Sequence, residues 1–469
     1  MIPSFKRRVQ CIQSAFLLCA IAIAVGLVWT TLGNPESREA AAQETRQRTY
    51  IRGSIYDRNG VLLNSSEKVN GERIYNADYQ RAFSTVTGYY SPIYGTTGLE
   101  SKFNSELVSS KSSGDNKRGH DIVLTLDAQL QQAAYNSISN IAEGAAVVLD
   151  AQTGEILALA STPTFVPSEL EENWSDYSQK TGLFLPNAYK STFAPGSDFK
   201  IITACAVIDN GVDKEPVSDQ GSYTFKNGQT ITNYDSRSFG TIYLDDAIRY
   251  SSNVYFITKA LEMGADNLHD SLKKFLLGED IELDFTTLTS NLDFEDNRDE
   301  VIGSIAFGQG KTEVPPLYMA MACQAILNDG DMIKPHMIRS LTAANGTANK
   351  DYEESDEPEI LQEVTSPETA QRVVAAMEGA AEHYGFDYIG PDGWVVAAKT
   401  GTAQTGTSTN AWIVSGAIDA DNGNTPKYVV VVMAADQTHD GIYYKDSVDQ
   451  IYDALVDYDA GKSSGDVSD

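Results

Sequence analysis

Ser197 stands three residues before Lys200 in Ala194-Pro195-Gly196-Ser197-Asp198-Phe199-Lys200, and the stretch runs straight into Ile201 to Ile208, apolar on nearly every side. A helix that apolar is central and buried. Pro195 and Gly196 give it a tight entry, so Ser197 lies at its amino end, where unpaired N–H groups collect positive potential. Lys200, three positions on, shares a face with Ser197. A serine hydroxyl needs a base beside it to act as a nucleophile. Lysine is that base only where burial and neighbouring cations push its pKa down.

The bare spacing is weak, because Ser271-Leu272-Lys273-Lys274 repeats it in an ordinary charged helix. Two further patterns also occur twice: Lys-Thr-Gly at 180–182 and 399–401, and Ser-x-Asn at 251–253 and 408–410. Context chooses between the copies. Lys180 follows a polar loop, whereas Lys399 ends an expected strand, Trp394 to Ala398. Ser408 lies in a Thr/Gly turn, whereas Ser251 sits between two helical segments, Leu244 to Tyr250 and Val254 to Met263. One copy of each pattern has rigid support.

In the order Ser197 to Lys200, Ser251 to Asn253 and Lys399 to Thr402, these residues resemble the active site of the penicillin-binding transpeptidases and serine β-lactamases. Arg52-Gly53-Ser54-Ile55-Tyr56-Asp57-Arg58-Asn59-Gly60 is similar to the membrane-proximal signature of the class B penicillin-binding proteins. Phe307-Gly308-Gln309-Gly310 followed by Pro315-Pro316-Leu317, and Asn410-Ala411-Trp412, are similar to that family too. The resemblance implies a D,D-transpeptidase that cross-links peptidoglycan without a cofactor and binds β-lactams. Carried over, Ser197 attacks the carbonyl between the terminal D-alanines of a stem peptide and neutral Lys200 takes its proton. Ser251 relays that proton to the leaving D-alanine, and Asn253 holds the peptide amide and Lys200. Lys399 keeps the site positive, and Thr400, Gly401 and Thr402 line the carboxylate site. The N–H groups of Ser197 and Thr402 form the oxyanion hole.

The resemblance also suggests a polytopic membrane glycan polymerase as partner. Two departures stand out. Position 198 is Asp where the family usually has Thr, placing an acid at the helix start, and the amino-terminal module is short. A D,D-carboxypeptidase or β-lactamase of the same fold is the nearest alternative. A non-catalytic β-lactam sensor or wall scaffold is the alternative of another class.

The elements that must hold these residues read as an α+β fold. A short strand, Ile122 to Leu126, precedes a helix, Asp127 to Ile141, with Asp127 as its cap. A hairpin follows, Ala145 to Asp150 and Glu155 to Ala160. Helices dominate from Asp198 to about Asp329. Strands return at Trp394 to Ala398, Ala411 to Ile418 and Tyr428 to Ala434, before an amphipathic helix near Ser447 to Tyr458. Strands at both ends around a helical middle imply an antiparallel sheet covered by helices.

Before this domain, Ala15 to Leu32 is nearly all apolar and follows Lys6-Arg7-Arg8, which predicts a single membrane helix with a cytoplasmic amino terminus and an extracellular remainder. The expected division is a stub at 1–8, a transmembrane helix at 9–32, a β-rich membrane-proximal module with linker at 33–118, a transpeptidase domain at 119–460 and a tail at 461–469. The 469 residues hold 35 Lys plus Arg against 65 Asp plus Glu, a net charge of −30, which argues against a nucleic-acid partner. Cys11 and Cys19 lie in or beside the apolar segment, and Cys205 and Cys323 sit in apolar helical patterns, so no disulfide framework is expected. No metal-ligand spacing or phosphate loop occurs.

Overall fold

The run Val429-Val430-Val431-Val432 has no polar face, so the strand that carries it must be covered on both sides. The computed structural model describes residues 51–461, apart from 69–71, 109–117, 293–294, 344–345, 353–356 and 387–388. In it that strand lies at the centre of a five-stranded sheet. The strands are β1 (Gly144–Asp150), β2 (Ile156–Thr162), β3 (Trp394–Thr405), β4 (Ser408–Asp419) and β5 (Thr425–Gln437). They run in the order β3-β4-β5-β1-β2, with every neighbouring pair antiparallel.

The two faces of the sheet serve two cores. Val147, Val429 and Val431 face the larger one, built on helices α2 (Lys200–Asp209) and α5 (Pro316–Leu327), with α3 (Leu244–Arg249), α4 (Asn253–Met263) and α6 (Pro367–Tyr384) around them. Ala146, Val148, Val430 and Val432 face the smaller core, covered by α1 (Ala128–Ile138) and α7 (Lys445–Asp459). Each fully buried valine or leucine contributes about 1.5–3 kcal/mol, so the alternation fixes which side chains reach the α2 side.

Asp127 caps α1 as expected, accepting from the N–H groups of Gln129 and Leu130. The third-to-last sheet strand differs from expectation. It does not end at Lys399 but continues to Thr405, and Ser408 opens β4 rather than lying in a turn. The polar run from Thr400 to Thr409 gives no apolar signal, yet ladder pairing from Thr400↔Ile413 to Thr405↔Ser408 carries it as an edge hairpin. Helix α6 was also not apparent from the apolar pattern. It is opened by Ser366, which accepts from Thr369 N–H, and closed by left-handed Gly385.

A second sheet joins Ile74–Tyr75, Leu62–Ser65, Ile55–Tyr56, Asp121–Leu124 and Ile338–Thr342. Its parallel pairing of Ile55–Tyr56 with Asp121–Leu124 crosses the expected boundary at 118. The Asp57 turn ties the two parts together. Its carboxylate accepts from the N–H groups of Asn59, Val61 and Ala128, and Arg58 pairs with Glu155 at 2.9 Å. The expected membrane helix at 9–32 and, of the expected tail at 461–469, residues 462–469 lie outside the described residues. Among the described residues no helix is long and apolar enough to cross a membrane.

Inside the amino-terminal module, Glu100 is fully buried between Arg52 Nε at 2.6 Å and Arg73 Nε at 2.7 Å, and accepts from Asn64 at 2.9 Å. Burial alone would raise its pKa, but Arg73 and Arg52 outweigh it and hold the carboxyl below its ordinary range. Removing one partner of a buried charge cluster leaves the other charges uncompensated. Glu100→Gln is therefore expected to destabilise the module by about 3 kcal/mol or more, measured by denaturant unfolding; an unchanged midpoint would show that the arginines find other partners.

Candidate active site

Ser197 is held in a tight turn, Gly196–Phe199, that feeds directly into α2. Gly196 is left-handed (φ +56°), and a Cβ there would stand 2.7 Å from Thr402 O, so only glycine lets the turn approach β3 this closely. The turn is pinned from two sides. Gly196 N–H donates to Gly308 O at 2.9 Å, within Phe307-Gly308-Gln309-Gly310, and Trp412 Nε1 donates to Ala194 O at 2.9 Å.

Lys200 lies beneath Ser197, fully buried. Its Nζ is 3.0 Å from Ser197 Oγ, 3.1 Å from Ser251 Oγ, 2.7 Å from Ser251 O and 2.8 Å from Asn253 Oδ1. Ser251 occupies the link between α3 and α4 at φ +57°, a conformation uncommon for a residue with a Cβ and found where a site demands it. Its hydroxyl also lies 3.1 Å from Lys399 Nζ. One serine oxygen thus sits equidistant from two buried lysines. Lys399 Nζ donates in addition to Thr400 O at 2.7 Å and stands 5.9 Å from the Tyr384 ring centroid.

Neither lysine has a carboxylate within ion-pair distance among the described residues, and the electrostatics follow. Burial, then the Lys399 cation, push the Lys200 pKa well below its ordinary value, against the opposing pull of Asp198 and Asp219. Burial pushes Lys399 down to about 8, again opposed by Asp198. Both shifts favour the neutral amine, and at Lys200 the Lys399 charge adds to the effect of burial. Asp198, the acid at the helix start, points inward, fully buried, with no hydrogen-bond partner on either oxygen among the described residues.

A network that the sequence did not reveal supports the Ser251 link. Asp219 accepts from Asn233 Nδ2 at 2.8 Å and from Ser252 Oγ at 2.5 Å, and Ser252 caps α4 by accepting from Tyr255 N–H. Asn233 Oδ1 in turn accepts from Asn253 N–H at 2.8 Å, while Asn253 Nδ2 donates to Thr232 O at 2.8 Å. These residues belong to no recognisable spacing, so only the fold could bring them together. Tyr384 escaped notice with its helix.

Ser197, Ser251, Asn253, Thr400 and Thr402 line a cleft of about 1050 Å³ whose walls include Tyr384, Asp235 and Asp440. Gly401 lies behind them; a Cβ there would stand 2.8 Å from Pro195 O and 2.9 Å from Asp198 Cγ. Two of the duplicate patterns fall elsewhere, where Ser271 accepts from Asn210 and Lys180 pairs with Asp176 at 2.6 Å. In the third, Ser408 donates to Asp436 and Thr409 lines the cleft.

A serine hydroxyl on a cleft, hydrogen-bonded to a buried amine of lowered pKa with a second lysine across Ser251, suits acyl transfer. The comparisons agree. A family model for the penicillin binding protein transpeptidase domain matches residues 144–455, and one for the penicillin binding protein A dimerisation domain matches residues 52–129. Penicillin-binding protein 3 of Bacillus subtilis is 30% identical over 76% of this chain and 54% of its own length. Peptidoglycan D,D-transpeptidase PbpA of Mycolicibacterium smegmatis is 28% identical over 80% of this chain and 82% of its own. The D,D-transpeptidase domain of a peptidoglycan glycosyltransferase from Eggerthella lenta superposes with a TM-score of 0.76 at 29% identity, covering 88% of this chain and 99% of that one. Penicillin-binding protein A of Mycobacterium tuberculosis shares the fold, with a TM-score of 0.78 at 24% identity and coverage of 87% and 99%. Since the transpeptidase-domain match runs from the first strand of the central sheet into its last helix, the protein belongs to the class B penicillin-binding proteins.

Proposed function

We propose that this protein is a membrane-anchored D,D-transpeptidase that cross-links peptidoglycan stem peptides through an acyl-enzyme on Ser197 and is acylated by β-lactams. The observation that carries the reading is the Ser251 hydroxyl, 3.1 Å from both Lys200 Nζ and Lys399 Nζ. Ser197 Oγ attacks the carbonyl between two terminal D-alanines, and its proton passes to the neutral Lys200 amine. Ser251 carries a proton on to the leaving D-alanine nitrogen, so the amine departs neutral. Lys399 stays charged and, with Thr400 and Thr402, meets the terminal carboxylate. The N–H groups of Ser197 and Thr402 stabilise the oxyanion, which the close approach of Gly196 to Thr402 O supports. An acceptor amine from a neighbouring strand then takes the acyl group and Ser197 regains its proton.

The same reading places residues 1–8 in the cytoplasm, 9–32 in the membrane, the 33–118 module near its outer surface, the 119–460 catalytic domain outside and 461–469 as a tail. It assigns a polytopic membrane glycan polymerase as partner of the anchor and module. The exposed Leu62, Ile74 and Ile93 support a contact on the module.

Incubation with benzylpenicillin followed by intact-mass measurement is expected to show a persistent adduct that Ser197→Ala abolishes. No adduct would overturn the proposal, and rapid turnover would favour the hydrolase. The pH profile of acylation is the second test. The rate is expected to rise as Lys200 loses its proton, well below the ordinary lysine range, and to fall as Lys399 loses its own near pH 8. A rate still rising at pH 10 would exclude Lys399 as the required cation.

A further inference from the structure

Asp198 is a buried acid that the acyl-transfer steps leave unused. It is 0% exposed, and neither carboxyl oxygen has a hydrogen-bond partner. The side chain packs behind β3, where a Cβ on Gly401 would stand 2.9 Å from its Cγ and 3.0 Å from Oδ1. Four titratable groups face it from four elements: Lys200 at the start of α2, Lys399 on β3, Cys323 on α5 and Tyr384 at the end of α6. Burial pushes the Cys323 thiol and the Tyr384 phenol up, so both stay neutral over the working range. The cluster that can exchange charge is therefore Asp198, Lys200 and Lys399.

A carboxylate buried with no donor and no ion-pair partner is costly, so such a group keeps its proton. Lys399, in contrast, has two oxygen partners and the Tyr384 ring near its Nζ. A carboxylic acid is nevertheless intrinsically far more acidic than an ammonium group. When the pH rises until one proton must leave, loss from Asp198 creates an anion beside Lys399, whereas loss from Lys399 removes its positive charge. The first is the easier step, because attraction between the two charges partly offsets the cost of burying the anion.

We propose that Asp198 is a positioning residue that holds its proton as a neutral carboxylic acid through neutral pH and releases it ahead of Lys399 in alkali, so that Lys399 keeps its charge to higher pH. At neutral pH the neutral acid leaves the whole Lys399 charge for the substrate carboxylate and spares Lys200 an anion that would raise its pKa. Burial is the larger cause holding the Asp198 pKa up, with Lys399 and Lys200 pulling against it. The inference rests on the transpeptidase reading for its consequence, not for its chemistry.

The test compares the full chain with Asp198→Asn and Asp198→Thr in two measurements. The infrared difference between wild type and Asp198→Asn at neutral pH should contain the carbonyl band of a protonated carboxyl, sensitive to deuterium oxide and weakening in alkali. The pH profile of benzylpenicillin acylation should keep its acid limb in all three proteins, while the alkaline limb falls about one pH unit earlier in both variants. Absence of the band, an unmoved alkaline limb, or both limbs moving together, which would mean a permanently charged Asp198, would each overturn the proposal. A wild type that takes up no β-lactam overturns the transpeptidase reading instead, and the infrared band then still decides whether Asp198 carries its proton.

Discussion

Two lysine amines, each buried and each without a carboxylate partner among the described residues, share the hydroxyl of Ser251. Two cations that close in a dry site repel strongly, so one must give up its proton. That constraint favours the neutral amine at Lys200. The asymmetry between the lysines comes from their surroundings. Each amine touches the Ser251 hydroxyl and one backbone carbonyl, so hydrogen bonding does not separate them. Burial and the Lys399 charge push Lys200 well below its ordinary value, whereas burial takes Lys399 down only to about 8.

Holding the pair apart and shared requires both halves of the fold. Lys200 rides on the central helix and Lys399 on the edge strand, and Ser251 reaches between them from a left-handed link. Such a link costs about 1–3 kcal/mol where it is not glycine. Asp219 offsets that cost at a distance, fixing Ser252 and Asn233 and through them the start of α4. The site is also narrow because its backbones nearly touch. Gly196 and Gly401 let the nucleophile turn lie against β3, and the Trp412 indole locks it there. The net charge of −30 plays no direct part in this arrangement, since the attraction for an anionic substrate is local to Lys399.

Much of this was legible in the chain itself. The period of the apolar residues placed the α1 helix, the β1–β2 hairpin and the amphipathic α7, because one-sided or two-sided burial leaves its mark residue by residue. The candidate catalytic residues were legible because the chemistry needs a particular type at a particular helical spacing, and the duplicates at 180–182 and 271–274 could be set aside by their flanks, whereas the flank read as a turn at Ser408 is the start of β4. The edge hairpin beyond Lys399 was not legible. Its residues are polar, and ladder pairing with β4 rather than burial makes them a strand. Helix α6 announced itself only by its Ser366 cap and Gly385 stop.

The sequence by itself determined the inventory: a serine that could be a nucleophile, a lysine one helical turn away, a second cation, and valine-rich strands to hold them. Tertiary structure decided the charges. Whether Lys200 is neutral, whether Lys399 serves substrate or an internal acid, and whether Asp198 is an anion at a helix start or a buried neutral acid depend on distances between groups up to 201 positions apart in the chain. A local spacing carries no information on such distances, because desolvation and Coulomb interaction act through space.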